Sequence, residues 1–330
     1  MPHPAKLDPL YDAAKQLILD TKNPTISFLQ RHLLIGYNRA VNLLQAMEGE
    51  IITPRDQSGR WEMLVGETYD TRNEPYWAGV DGWIWASDET PVEQPHVFVR
   101  CFSKRGIAKA RSEDSIMLPG LIQHGTVREY GRLDLSEPRY FAIADGVSSS
   151  AAPRMASSRL LSRLHMLAHE AQANASISEL LQHLQKKFAA LGDTPENFGM
   201  ASTLVGARLV GNTATIFNVG DSRAYLLTDV ANGCQAKLLS RDHNLTSQFI
   251  ADSAYDELHV NVVTHTLHQG ERLLLCSNGL NEVLSDAEIA ELFTENSGKA
   301  LIKAYIASRR AGGRDDFSVI VIEVVNADTH

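Results

Sequence analysis

Tyr140-Phe-Ala-Ile-Ala-Asp145-Gly146 runs from an aromatic pair to an acid and a glycine. Short apolar runs bounded by turn residues read as buried strands. This strand ends on a carboxylate, with the Gly146 carbonyl free beside it. Leu273-Leu-Leu-Cys-Ser-Asn278-Gly279 has the same shape, with an amide where an acid could stand. Gly313-Arg314-Asp315-Asp316 precedes a third apolar strand, Phe317-Ser-Val-Ile-Val-Ile-Glu-Val. Carboxylates gathered at strand ends supply the oxygen ligands that hard divalent cations take. Asn278 therefore decides whether such a site is a working catalyst.

Outward from these strands, residues 96–326 read as one domain. Strands are expected over 96–102, 115–118, 139–144, 202–210, 213–219, 223–227, 272–276 and 317–325. Helices are expected over 153–170, 177–191, 287–293 and 299–309. Strands in runs and helices in separate runs indicate α+β layers rather than a Rossmann alternation. Glu113 and Asp114 follow Lys109 and Arg111 in a loop. A lone aspartate beside glycine most often caps a turn, so no single one of these positions carries the reading.

Composition excludes several classes. The chain has 330 residues, 44% hydrophobic and 22% charged, which is ordinary for a globular protein. A net charge of −9 argues against a globally basic nucleic-acid binder but leaves local patches open. Cys101, Cys234 and Cys276 are too scattered for a disulfide framework, so a reducing, cytoplasmic location is expected. No signal peptide and no membrane-spanning run is read. None of the three cysteines has an arginine six residues on, which excludes a cysteine phosphatase. His259, His265 and His268 lack zinc-ligand spacing. Glycine-rich nucleotide loops are absent, so a kinase or ATPase is unsupported.

Residues 7–66 form a second organisational unit. Asp8-Pro9 starts a helix, with Leu10, Ala13, Ala14, Leu17 and Ile18 on one face. Ser27 is expected to cap a second helix to Leu34. A third runs from Tyr37 to Met47, with Tyr37, Ala40, Val41, Leu44 and Met47 inward. Ile51-Ile52 and 61–65 then read as the two strands of a hairpin, completing a winged helix-turn-helix plan. Seven basic and seven acidic residues leave 1–66 neutral, yet no acid lies between Asp20 and Glu48. Arg31, Asn38 and Arg39 stand unopposed there, suiting base edges in a major groove. Arg55 and Arg60, in the wing, suit phosphates. A small helical docking domain is the alternative. The aromatic-rich stretch 67–95 is a connector that packs on one or both domains.

Two resemblances follow from these residues. Asp8-Pro-Leu-Tyr-Asp-Ala-Ala, Ile26-Ser-Phe-Leu-Gln-Arg31 and Ile35-Gly-Tyr-Asn-Arg-Ala40 resemble the gamma domain of the FtsK DNA translocase. That resemblance implies a winged helix reading double-stranded DNA, with Asn38 and Arg39 as base-reading residues. Lys109-Ala-Arg-Ser-Glu113-Asp114, Asp145-Gly146, Gly199-Met-Ala-Ser-Thr-Leu204, Asn218-Val-Gly-Asp-Ser-Arg-Ala-Tyr225, Leu239-Ser-Arg-Asp-His243, the 273–280 strand end and Asp315-Asp-Phe-Ser-Val319 resemble, in order, the motifs of the type 2C metal-dependent protein phosphatases (the PPM family).

The second resemblance implies a four-layer α-β-β-α sandwich holding two divalent cations, Mn²⁺ or Mg²⁺. It implies that Asp145 bridges the metals, that the Gly146 carbonyl and Asp315 bind directly, that Asn278 takes a ligand aspartate's place, and that Glu113 and Asp114 hold metal-bound water. Lys109 takes the place of a phosphate-binding arginine, with Arg111 as the alternative fork. Asp221 is expected to be structural, and Asp193 or Glu196 to be a third-metal acid. The expected function is a bacterial DNA-binding serine/threonine phosphatase, nucleoid-associated when DNA-bound. Its substrate would be a phosphoprotein, with a cognate Ser/Thr kinase or that kinase's target as partner. Asn278 and the Ser148-Ser149 pair keep an alternative open: a pseudophosphatase regulator or phosphoprotein-binding module, or an inactive variant engineered at Asn278.

Overall fold

The computed structural model describes residues 8–21, 24–33, 35–48, 51–53, 55, 61, 83–84, 96–124, 127–170, 175–243, 249–252, 258–294 and 298–325. The chain divides into two compact units, Met1–Tyr76 and Trp77–His330.

In the smaller unit, α1 (Tyr11–Thr21), α2 (Ile26–Leu33) and α3 (Tyr37–Met47) surround one core. Asp8 starts α1 as its sequence suggests: its Oδ1 accepts the Leu10 N–H at 2.9 Å and its carbonyl accepts that of Tyr11. Tyr11, Ala14, Ile18, Phe28, Leu29, Ala40, Leu43, Leu44, Met47, Ile52 and Trp61 are buried together. Two local expectations fail. Tyr37 is 52% exposed, because Leu43 and Ala46 rotate the buried stripe of α3 away from it. Helix α2 begins before Ser27, whose place as cap is taken by the Thr25 carbonyl accepting the N–H groups of Phe28 and Leu29. Ile52 makes a lone bridge to Glu48. The return strand at 62–65 and Arg60 lie outside the described residues, as does most of the 67–95 connector.

The larger unit begins with β1 (Trp83–Ile84), inside the stretch read as connector, which pairs antiparallel with a strand of the main sheet. Next come β2 (His96–Lys104), β3 (Asp114–Leu118), β4 (Leu121–His124), β5 (Val127–Asp134) and β6 (Arg139–Asp145). Helices α4 (Pro153–Glu170) and α5 (Ile177–Ala189) are followed by a 3-10 turn, Ala190–Asp193. The chain continues through β7 (Ala201–Ser202), β8 (Leu204–Val210), β9 (Thr213–Val219), β10 (Arg223–Val230), β11 (Gly233–Leu238), β12 (Phe249–Ile250), β13 (Asn261–Thr266) and β14 (Glu271–Cys276). It closes with α6 (Asn278–Asn281), α7 (Asp286–Leu292), α8 (Gly298–Arg310) and β15 (Phe317–Val325).

Two antiparallel sheets organise these elements. One has the order β1-β5-β2-β15-β14-β10-β11, the other β13-β9-β8-β6-β3-β4. Their inner faces share one apolar core, from Val97 and Val99 on β2 to Phe141 and Ile143 on β6 and Ile320 and Ile322 on β15. Helices α4 and α5 cover the outer face of the six-stranded sheet through Leu160, Leu164, Leu181 and Phe188. On the opposite side, Tyr305 of α8 packs against Phe102 and Phe317 at ring distances of 5.6 and 5.5 Å. The result is the expected α-β-β-α sandwich. Strands β4, β5, β11 and β13 were not anticipated. Three of them form sheet edges, where one rim is wet and the apolar alternation weakens.

Candidate metal centre and nucleic-acid interface

Three strand ends converge as their polar tips suggest. Asp114 and Asp145 face each other across the β3–β6 pair. Asp114 is fully buried and Asp145 is 8% exposed. Ser277, between β14 and α6, donates to Asp114 Oδ2 at 2.8 Å, while Asp114 Oδ1 is buried without a hydrogen-bond partner. Gly146 is required by close packing: a Cβ there would lie 2.0 Å from the Pro153 carbonyl oxygen. Its N–H binds the Glu113 carbonyl at 3.2 Å, tying the β6 end to the loop that carries Lys109 and Glu113.

That loop brings a cation among the acids. The Lys109 ammonium contacts Glu113 and Ser148 and lies 3.0 Å from Asp315 Oδ1. Ser148 also donates to Glu113 Oε2 at 2.7 Å. Asp316, only 1% exposed, accepts the Gly106 and Glu113 N–H groups, each at 2.6 Å. Arg309 fixes the neighbouring turn through the carbonyls of Gly313 and Asp315. Arg111 is exposed on the loop, and among the described residues no bond or ion pair ties it to the acids. Lys109 is thus the cationic side chain the fold brings in. Asp193 and Glu196 are exposed in the turn after α5.

The electrostatics are those of acids held together out of water. Burial, reinforced by Asp316, lifts the Asp114 carboxyl to about 7 despite the hydroxyls that bond it. Burial and the charges of Asp114, Asp315 and Asp221 push Asp145 well above the usual carboxylate range, with Lys109 opposing. Burial also works against the Lys109 ammonium, but bonds to Glu113 and Asp315 outweigh it and raise its pKa. Burial raises Asp221, while a bond from the Asn278 side chain acts in the opposite direction. Asp221, expected to be structural, is therefore electrically part of the acidic cluster.

Asp114 Oδ1, Asp221 Oδ1 and Asn278 Oδ1 are all buried acceptors without a donor. A buried acceptor left bare is costly, and such oxygens beside carboxylates suit hard divalent cations. Among the described residues no three carboxylate, histidine or cysteine side chains are closed around one point; the Lys109 ammonium holds Glu113 and Asp315 instead. Ser277 and Asp316 were not anticipated, and Ser148 was singled out only as a departure beside Asp145, not as a partner of Lys109 and Glu113. Their one sequence signal is adjacency to residues already singled out, the doubled acid at 315–316 above all.

In the small unit, Asn38 is exposed at the start of α3, as are Tyr37, Asn42 and Gln45. Arg39 is not unopposed: its Nε and Nη2 bind both oxygens of Asp8 at 2.8 and 2.7 Å. The guanidinium beside Asp8 holds that carboxyl down at about 2. The sequence placed Asp8 thirty-one positions away, so the pairing was invisible to local charge counting. Arg55 lies 4.9 Å over the Trp61 ring, and Trp61 Nε1 donates to Glu48 Oε1 at 2.7 Å. Arg31 lies on α2.

Comparison with known proteins agrees with both halves. The FtsK gamma domain family matches residues 5–66, and the Stage II sporulation protein E (SpoIIE) family matches residues 139–325. The serine/threonine protein phosphatase PstP of Mycobacterium tuberculosis is 26% identical over 250 residues, covering 68% of this chain and 45% of that protein. The chain thus spans under half the length of that relative. The DNA translocase FtsK of Rickettsia bellii is 44% identical over 59 residues, covering 18% of this chain and 8% of that protein. The crystal structure of the PstP catalytic domain, in complex with two manganese ions, superposes with a TM-score of 0.55 at 24% identity, over 70% of this chain and 100% of that one. The Stp1 phosphatase of Staphylococcus aureus gives 0.55 at 17% identity, over 69% and 95%. These likenesses establish the phosphatase fold.

Proposed function

We propose that this chain, which belongs to the SpoIIE family and carries a type 2C phosphatase domain behind an FtsK gamma domain, is a DNA-binding, metal-dependent serine/threonine protein phosphatase. The observation that carries the catalytic half is the set of buried, donorless oxygens on Asp114, Asp221 and Asn278 beside Asp145 and Asp315. In this reading Asp145, the Gly146 carbonyl, Asp315 and Asn278 hold two divalent cations, with Glu113 and Asp114 orienting water. Mn²⁺ or Mg²⁺ bound there lowers the pKa of water and neutralises charge on a phosphoryl group. With Glu113 and Asp315 engaged by cations, Lys109 would offer the phosphoryl oxygens a positively charged donor. Ser148 steadies both Lys109 and Glu113 from the rim. Asn278 keeps a buried acceptor aimed at no donor, so an amide there is compatible with ligation and needs no pseudophosphatase to explain it.

Hydrolysis of a phosphothreonine peptide with Mn²⁺, and its loss on chelation, tests this half. Absence of turnover in both the parent and Asn278→Asp overturns it. The DNA half rests on the gamma-domain match and the exposed start of α3. Asn38 and Arg39 read bases here, Arg39 by exchanging Asp8 for a base edge, with Arg31 beside them in the groove and Arg55 and Arg60 as phosphate contacts. Arg39→Ala is expected to weaken binding to a selected duplex by about 1–3 kcal/mol; unchanged affinity removes Arg39 from the interface. A phosphoprotein, from a cognate kinase pathway, completes the partners proposed. Among the described residues no helix is long and apolar enough to cross a membrane.

A further inference from the structure

We infer that Asp316 is a positioning residue that presents Lys109 and Glu113 to the phosphoryl group. The inference rests on the phosphatase reading of the same site. The carboxylate is 1% exposed and bonds the N–H groups of Gly106 and Glu113, the two ends of the loop that holds Lys109. Both bonds are 2.6 Å, at the short limit for an N–H bound to a carboxylate. The loop is docked on the 314–316 turn at other points too. Ala108 donates to the Arg314 carbonyl at 3.2 Å, and a Cβ on Gly106 would meet that oxygen at 2.5 Å. Asp316 N–H in turn binds Asp315 Oδ1 at 2.8 Å, and Asp315 Oδ1 is the atom that faces Lys109.

The Asp316 side chain therefore fixes both ends of the loop that carries Lys109 and Glu113, and its main-chain N–H holds Asp315 beside them, although the two segments lie two hundred positions apart. A carboxylate suits this pair of donors. It accepts at both oxygens, whereas an amide of the same shape turns an NH₂ group toward one of the two N–H donors.

Asp316→Asn is isosteric and tests the claim. At saturating Mn²⁺, where any loss of cation affinity is made up, orthophosphate binding by the full chain is followed by calorimetry. Asp316→Asn and Lys109→Met are each expected to weaken it by about tenfold, and the double variant no further, because one acts through the other. Additive losses, or an unchanged Asp316→Asn, overturn the inference. If the parent binds no orthophosphate, the phosphatase reading fails, and hydrogen exchange decides the positioning claim alone. Protection of the Gly106 and Glu113 amides lost together in Asp316→Asn supports it; protection retained overturns it. Should that variant not fold, exchange in the parent decides. Both amides slower than those of 107 and 110–112 support the bracket, and equal rates overturn it.

Discussion

Asn278 brings an acceptor to the site without bringing charge. Its amide also supplies Asp221 with a bond that opposes the effect of burial. Asn278→Asp removes that donor and adds a negative charge. The variant is expected to bind Mn²⁺ roughly ten- to a hundredfold more tightly, yet to lose about 1–3 kcal/mol of metal-free stability. Calorimetric titration and denaturant melts read the two effects separately. Acid pairing gives a second expectation. Asp114 is lifted to about 7 and Asp145 is also held well above the usual carboxylate range, so between about pH 4 and 7 the folded chain holds protons that the unfolded chain has released. Stability then falls as pH rises through that window, by an order of about 3 kcal/mol. Metal-free melting temperatures should therefore be higher at pH 5 than at pH 7.5, with added Mn²⁺ narrowing the gap; a flat profile contradicts the buried acid pair. Asp145, Asp315, Glu113 and Asp114 were legible because each sits at the end of an apolar run or in a recurring motif. Asp316 and the pairing of Asp8 with Arg39 were not, because the partners lie on other segments and nothing local announces them.

Elements are placed by close approaches as much as by apolar periodicity. The junction of β6 and α4 shows this: Gly146 lies against Pro153, at the first position of α4. Gly146→Ala must move that helix start away from the β6 end and the candidate metal centre. About 3 kcal/mol of destabilisation is expected, measured by denaturant unfolding, together with weakened Mn²⁺ binding; a variant as stable as the parent shows the junction to be slack. Helix α4 and strands β9 and β15 match their expected limits, since each carries a continuous buried stripe or run. Strands β11 and β13 escaped because their exposed positions alternate with half-buried ones and no apolar run forms. Helix α3 erred by rotation rather than by length, since a few apolar residues fit two overlapping stripes and only tertiary packing chooses between them.

At the scale of the molecule, the two units own separate cores: the small unit's runs from Tyr11 to Trp61, and the sandwich's clusters begin at Val97. Scanning calorimetry is expected to resolve two transitions, with Mn²⁺ raising only the larger and duplex DNA only the smaller. A single transition that both ligands raise together contradicts independent cores. The chain as a whole carries a net charge of −9, and acidic side chains lie against Lys109. Because that ammonium already lies against Glu113 and Asp315, a metal arriving at the centre meets an occupied seat rather than a void. If the proposed cations bind there, uptake is a trade of one counter-ion for another, and the tethered ammonium sets the charge that each cation must displace.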